Sequence, residues 1–369
     1  MPTTRQKPEG FLRRGWTTGA CATAAVAAAY QALITGSFPD PVAITLPRGQ
    51  EPSFNLKKKS LSRGKAIASI IKNAGDDPDI THGAEIIVTV VLKDISPRIS
   101  FHAGEGIGTV TKPGLALDIG EPAINPGPRA MIESAINGLE KKFAIQAPLG
   151  IDITISIPGG KVLAKKTMNS RLGIMGGLSI LGTTGIVIPY SCSSWIHSIH
   201  RGVDVARAAN LQHIAAATGS TSEAAVQKIF NLQDTALIDM GDFAGGLLKY
   251  LRKNPVQRLT IAGGIGKLTK LAQGAMDLHS SRSKVNMDIL AAMLDQLGAD
   301  SDTILKSKIA NTASEVLELA QIKDLPLGNL IARQARESAM ATLSGGTEVN
   351  VMVINRKGEC VGKSKINNG

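Results

Sequence analysis

Aromatic residues make up only 3% of this chain, with two Trp, three Tyr and seven Phe among 369 residues. So few rings leave little surface for stacking unpaired bases, and no zinc-finger or RNP-type pattern occurs, which counts against a nucleic-acid-binding protein. Cysteine is equally scarce. Cys21, Cys192 and Cys360 are far apart and odd in number, so they make neither a disulfide framework nor a metal pattern and suit a reducing compartment. No uninterrupted run of 18 apolar residues is present, so no membrane span is expected. Acids are in deficit too: 30 Asp and Glu face 41 Lys and Arg, a formal net charge of +11.

What the chain does have is an apolar content of 43%, enough for a sizeable core, and 39 Gly with 17 Pro that follow no collagen period. Its length suggests two domains. The basic excess is concentrated at the start, where Arg5, Lys7, Arg13, Arg14, Arg48, Lys57, Lys58, Lys59, Arg63 and Lys65 face only Glu9, Asp40 and Glu51. Such a surface attracts polyanions, whether nucleic acid, anionic lipid or a small molecule carrying many carboxylates; the plain alternative is a solvated basic face. Arg13-Arg14 before the Ala-rich stretch Ala20–Ala32 resembles a twin-arginine export signal. The stretch is poor in Leu and carries Thr23, Tyr30 and Gln31. It reads better as a helix capped by Thr17 or Thr18 and ended by Gly36. The protein is expected in the cytoplasm.

Hydrophobic patterning predicts an α+β first half and an α/β second half, divided near residues 190–194. Val42–Leu46, Ile67–Ile71, Glu85–Leu92 and Ile151–Ile157 read as strands and Pro128–Lys142 as a helix. Beyond Trp195, strands at His213–Ala217, Ala236–Met240 and Leu259–Ala262 alternate with helices at Ser222–Phe230, Phe243–Arg252 and Lys267–Leu278. That alternation predicts a parallel sheet covered by helices. Helices fill much of 286–344, and Glu348–Ile354 is a late strand. The expected domains are therefore 1–192 and 193–369.

Four glycine clusters and one acidic group could carry chemistry. Gly15-Trp16-Thr17-Thr18-Gly19 opens the Ala-rich helix, where free N–H groups beside Arg13 and Arg14 would seat an anion; plain capping explains the same residues. Gly104-Glu105-Gly106-Ile107-Gly108, leading to Lys112, lacks the dinucleotide spacing and the following helix. Gly173–Gly185 holds five glycines in thirteen residues, a density that points to close backbone approach. Gly263-Gly264-Ile265-Gly266-Lys267 lies between a strand and a helix, and Leu268 stands where a phosphate-binding loop needs Ser or Thr. With Asp239-Met240-Gly241-Asp242 it would sit at the carboxyl ends of neighbouring strands, where open parallel sheets bind ligands. Asp76-Asp77-Pro78-Asp79 with His82 suits a general base, a metal or an ordinary turn.

In register along nearly the whole chain, these segments resemble the cobalt-precorrin-5B C1-methyltransferase family (CbiD) of anaerobic cobalamin synthesis. Leu12-Arg13-Arg14-Gly15-Trp16-Thr17-Thr18-Gly19 is similar to the family's opening, and Ala74–Gly83 to its acidic signature. Gly106–Leu115, Ile124–Arg129, Gly177–Val187 and Gly219–Glu223 follow in order. Gly264 stands where relatives often carry His, and Asn73 where Asp is common. The resemblance implies transfer of a methyl group from S-adenosylmethionine to C-1 of a cobalt-bound tetrapyrrole whose acetate and propionate rim suits a basic surface. Cobalt then belongs to the substrate, with no metal site of the protein's own, and a homo-oligomer is left open. It also implies an N-terminal domain like ribosomal S5 domain 2. The base is expected among His82, Asp76, Asp77 and Asp79. Substrate contacts are expected from Arg13, Arg14, Thr17, Thr18, Gly19, Lys112, Gly182, Thr183 and Thr184. Donor contacts are expected from Asp239, Gly241, Asp242, Gly263, Gly264, Gly266 and Lys267. A non-catalytic corrinoid carrier would share the substrate contacts but ignore S-adenosylmethionine.

Overall fold

The computed structural model describes residues 10–93, 98–146 and 150–364. The chain divides into two compact units on either side of Ser191 and Cys192. In the first, β1 (Gly15–Trp16) leads into α1 (Thr18–Thr35), followed by the short strands β2 (Val42–Ala43) and β3 (Ser53–Phe54). Then come β4 (Lys58–Ser62), β5 (Lys65–Ile71), β6 (Glu85–Lys93), β7 (Ile99–Ala103), β8 (Thr109–Val110), α2 (Pro126–Lys142) and β9 (Gly150–Ser156). α3 (Gly160–Ala164), β10 (Ile174–Met175) and β11 (Ile186–Val187) complete it. The main sheet runs β4-β5-β6-β9-β7 and is antiparallel except where β7 lies parallel to β9. Strict alternation makes it one-sided: Ile86, Val88 and Val90 of β6 and Ile151, Ile153 and Ile155 of β9 are buried against α1 and α2.

Helix α1 is almost wholly buried because alanine lets neighbouring backbone come close on every side. Thr17 is its N-cap, its hydroxyl accepting the Ala20 N–H, and Gly36 closes it in the left-handed conformation. Over its 18 residues α1 is, among the described residues, the one helix long and apolar enough to cross a membrane by length and composition. A core helix passes the same test, and 78% of this one is buried inside the unit. The helix is the core of this unit.

The second unit opens with α4 (Cys192–Ala208), β12 (His213–Ala217), α5 (Ser220–Phe230), β13 (Leu237–Asp239), α6 (Ala244–Lys253), β14 (Arg258–Gly263) and α7 (Ile265–Ala272). The helices α8 (Met287–Gln296), α9 (Ser301–Ile309), α10 (Ala313–Ile322) and α11 (Leu327–Leu343) follow, then β15 (Glu348–Ile354) and β16 (Cys360–Lys363). The sheet order is β13-β12-β14-β15-β16, parallel but for the last strand. One face packs into a large core with helices on both sides of it in sequence, including α4, α6, α7 and α11. The other face holds Ala215, Leu237, Ala262 and Met352 against Val226 of α5. Strands buried on both faces explain the near-continuous apolar runs. Helix α7 ends at Ala272, short of the expected Leu278. Gly274 takes a left-handed φ of 87°, and Lys270 turns its ammonium onto the Leu278 carbonyl at 3.0 Å, folding the following loop back.

Candidate functional site

In the first unit the segment 173–187 acts as a spine to which the other motifs are hydrogen-bonded. At its start Thr111 donates to the Gly173 carbonyl through both N–H (2.7 Å) and hydroxyl (2.8 Å), and β10 pairs with β8. Further along, the Gly108 N–H donates to Leu178 O and the Leu178 N–H to Gly106 O, both at 2.8 Å. The Asn125 N–H donates to Ile180 O at 3.0 Å, and β11 closes the run against β1. Gly182 has a φ of 120°, and a Cβ there would fall 2.4 Å from Thr17 Cβ. Lys112 therefore sits at the opposite end of the spine from Thr17–Gly19.

The anion seat expected at the start of α1 is closed. Thr17, Thr18 and Gly19 are buried. The Gly19 N–H donates to Leu181 O (3.0 Å), the Thr17 N–H to Gly185 O (2.9 Å), and the Thr18 hydroxyl exchanges bonds with the Leu181 backbone. These residues build the site rather than line it. Thr184 likewise spends its hydroxyl on the Ile186 backbone, while Thr183 is exposed.

The acidic group packs on the Arg-Arg-Gly motif, backbone to backbone. The Trp16 N–H donates to Asn73 O (2.8 Å), the Asp76 N–H to Arg13 O (3.0 Å), and the Arg13 N–H to Asp76 Oδ2 (2.6 Å). Arg13 and Arg14 are exposed, and Arg14 makes no ion pair among the described residues. The four base candidates separate on their partners. Asp76 is exposed and holds the Arg13 backbone. Asp79 uses both oxygens: Oδ2 lies 2.6 Å from Lys72 Nζ, and Oδ1 accepts the Thr81 N–H (2.7 Å) and hydroxyl (2.6 Å). Burial pushes its carboxyl up, but Lys72 and Thr81 outweigh that and hold it below the usual range. Nδ1 of His82 accepts the Ala74 N–H at 3.1 Å, so a neutral ring carries its proton on Nε2 and has no free lone pair. Asp77 differs. It is half-buried, its Oδ1 accepts the Tyr190 N–H at 2.8 Å, and its Oδ2 has no partner among the described residues. Burial pushes its carboxyl above the ordinary range, with Asp79 adding to the rise and the Tyr190 bond and Lys72 opposing it.

In the second unit the chain leaves β12 toward β13 on one side and β14 toward β15 on the other. The crevice between the carboxyl ends of β12 and β14 is thus a topological switch point. Thr218, Gly219, Gly263 and Gly264 form it: the Thr218 N–H donates to Ala262 O (3.0 Å), and Gly263 faces the Thr218 methyl. Gly219 and Gly264 precede α5 and α7 without any side-chain cap, which leaves both helix starts without a capping side chain. Beside them, Lys267 Nζ lies 2.7 Å from Asp242 Oδ1 and 3.5 Å from the Thr218 carbonyl. That Asp242 oxygen is buried and, despite the close ammonium, lies outside hydrogen-bonding geometry. The Trp195 Nε1–H donates to the Asp239 carbonyl (3.0 Å), and its ring lies against Gly241. A Cβ at Gly264 or Gly266 would meet no protein atom within 4 Å. Among the described residues no group of three His, Cys, Asp or Glu is placed to hold a metal ion.

The CbiD family pattern matches residues 5–189, and that of the CbiD C-terminal domain matches 277–365. The chain belongs to the CbiD family. It is 55% identical over 363 residues to the cobalt-precorrin-5B C(1)-methyltransferase of Brucella canis, spanning 98% of both chains, and 54% identical to that of Brucella ovis over the same span. A crystal structure of the cobalamin biosynthesis protein (cbiD) from Archaeoglobus fulgidus is 27% identical, covering 74% of this chain and 84% of that one with a TM-score of 0.40.

Two features of this CbiD chain escape a reading of motifs. Lys72 looks like one more basic residue at a strand end, yet it is 1% exposed. Thr218 precedes Gly219-Ser220-Thr221-Ser222, a stretch recognisable in the sequence. Its place at the switch point emerges only from the strand order.

Proposed function

We propose that this chain methylates C-1 of cobalt-precorrin-5B with S-adenosylmethionine, giving cobalt-precorrin-6A. The observation that carries this is 55% identity across 98% of the chain to relatives bearing that activity in their names. The geometry supports it with two separate assemblies of the required chemistry. In the first unit, exposed Arg13 and Arg14 lie on the segment that packs against the loop carrying the half-buried Asp77, suited to a macrocycle with an anionic rim and a proton to lose. Thr183, exposed near the start of α1, is offered as a further contact, whereas Lys112 lies at the far end of the spine. In the second unit, we assign the donor to the β12/β14 crevice, with the uncapped starts of α5 and α7 toward its carboxylate and Asp239 and Asp242 toward its hydroxyl and amino groups. The co-substrate supplies an electrophilic methyl group on a sulfonium.

The protein's part is alignment, exclusion of water and removal of one proton. Asp77 takes that proton: it is tied at one oxygen by Tyr190, has no partner for the other among the described residues, and has a carboxyl raised by burial, which makes it a better base. As the S–CH3 bond breaks, its electron pair stays on sulfur, and the new C–C bond draws on the conjugated macrocycle.

The donor assignment is tested by Gly266→Val. A Cβ there meets no protein atom within 4 Å, so the added bulk is expected to bear on a ligand more than on the fold. Affinity for S-adenosylmethionine, measured by calorimetry, is expected to fall about tenfold or more, equivalent to about 1.4 kcal/mol. Unchanged affinity would place the donor elsewhere.

A further inference from the structure

Lys72 and Asp79 form a buried ion pair directly behind the loop that carries Asp77, and their placement goes beyond holding that loop together. Lys72 immediately follows β5 and is anchored twice through its backbone: its N–H donates to Ala84 O (2.9 Å), and its carbonyl accepts the Gly83 N–H (2.8 Å). Its ammonium reaches Asp79 at 2.6 Å, and Thr81 fixes the other Asp79 oxygen. Asp77 lies two residues before Asp79 in the same turn and is pinned from the far side by the Tyr190 N–H. Two opposite unit charges are thereby held at fixed positions close to one half-buried carboxylate. Each could have been avoided with neutral residues, since a buried ion pair is weak evidence for stability.

We propose that the Lys72–Asp79 pair tunes Asp77, Lys72 favouring its ionised form and Asp79 its protonated form, so that the two act as opposed positioning residues for proton removal. This rests on Asp77 being the base. The groups facing it are few. Lys72 and Asp79 both act on it through space, with Lys72 lowering and Asp79 raising its carboxyl. From α1 the nearest titratable group is Cys21, whose thiol burial holds up at about 12, so it stays neutral. Arg13 and Asp76 on the flanking backbone are exposed and paired with each other. His82 faces the Ala74 N–H.

The signs follow directly. A general base must be ionised, so the acid limb of kcat/KM against pH reports Asp77. Asp79→Asn removes a negative charge and moves that limb to lower pH. Lys72→Met removes a positive charge and moves it to higher pH. Each shift is expected at about half a pH unit or more, the double variant falls between them, and Lys72→Arg keeps the native position. Damage to the loop would lower the rate without moving the two limbs in opposite directions, which separates tuning from simple support. Shifts of the same sign, or none in a folded Asp79→Asn protein, overturn the proposal. Substantial methyl transfer by Asp77→Asn would instead overturn the base assignment on which it rests, and the two failures are distinguishable because the second needs no pH profile.

Discussion

Asp77→Asn is expected to reduce methyl transfer by about 10²- to 10⁴-fold, the usual contribution of a positioned general base. The amide oxygen can still accept the Tyr190 N–H, so the loop and its attachment to residue 190 persist. Binding of cobalt-precorrin-5B should therefore survive, and the loss should fall on kcat. Asp76→Asn and His82→Gln provide the contrast. Asp76 is exposed and occupied with the Arg13 backbone, while the His82 ring spends its lone pair on a backbone N–H; each variant should lose less than tenfold. The check is incubation with labelled S-adenosylmethionine and cobalt-precorrin-5B, followed by mass analysis of the tetrapyrrole. An Asp77→Asn enzyme keeping more than a tenth of native kcat would return the role of base to one of its neighbours.

How far the sequence anticipates this structure depends on whether a feature is local. Strand β15 is read to the residue because Val349 and the run Val351–Ile354 are β-branched or apolar, interrupted only by Asn350. The start and stop of α1 are legible because Thr17 and Gly36 act on their own helix. Helix α7 is overrun because apolar spacing continues through Leu271, Ala275 and Leu278, and only Lys270 folding onto the Leu278 carbonyl shows that the chain has turned. The site divides the same way. Its motifs are all visible, but the closure of the α1 start by Leu181 joins residues 163 apart in sequence. Likewise nothing near Lys72 in the sequence announces a lysine with 1% exposure. Lysine is almost never buried without a partner, and in the sequence that partner, Asp79, stands among the acidic group with nothing to mark it as a counter-ion.

That dependence on non-local contact is greatest where the Arg-Arg-Gly motif meets the acidic loop, and there a single methyl group should undo it. A Cβ on Gly15 would lie 1.9 Å from the Ala74 carbonyl carbon, where carbon atoms in contact sit about 3.5–4.0 Å apart. Neither chain can retreat. Gly15 is held on its other side by pairing with Val187, and Trp16 bonds the Asn73 carbonyl. Across the same seam Gly75 has a left-handed φ of 67°, and a Cβ there would lie 2.2 Å from the Arg13 carbonyl oxygen. Gly15→Ala is thus expected to destabilise the first unit by about 3 kcal/mol, the upper range of overpacking, lowering its Tm by roughly 6–12 °C. It should also free Asp76 from Arg13 and so disturb Asp77. Gly266→Ala supplies the opposite case. It lies in the first turn of α7 with open space around it, and the substitution should raise stability by about 0.5–1 kcal/mol through lost unfolded-state freedom. Thermal unfolding followed by circular dichroism distinguishes the two. If both variants melted with the native protein, the tight seam between residues 13–16 and 73–76 would not exist in solution, and neither would the packing of the acidic loop on the Arg-Arg-Gly motif.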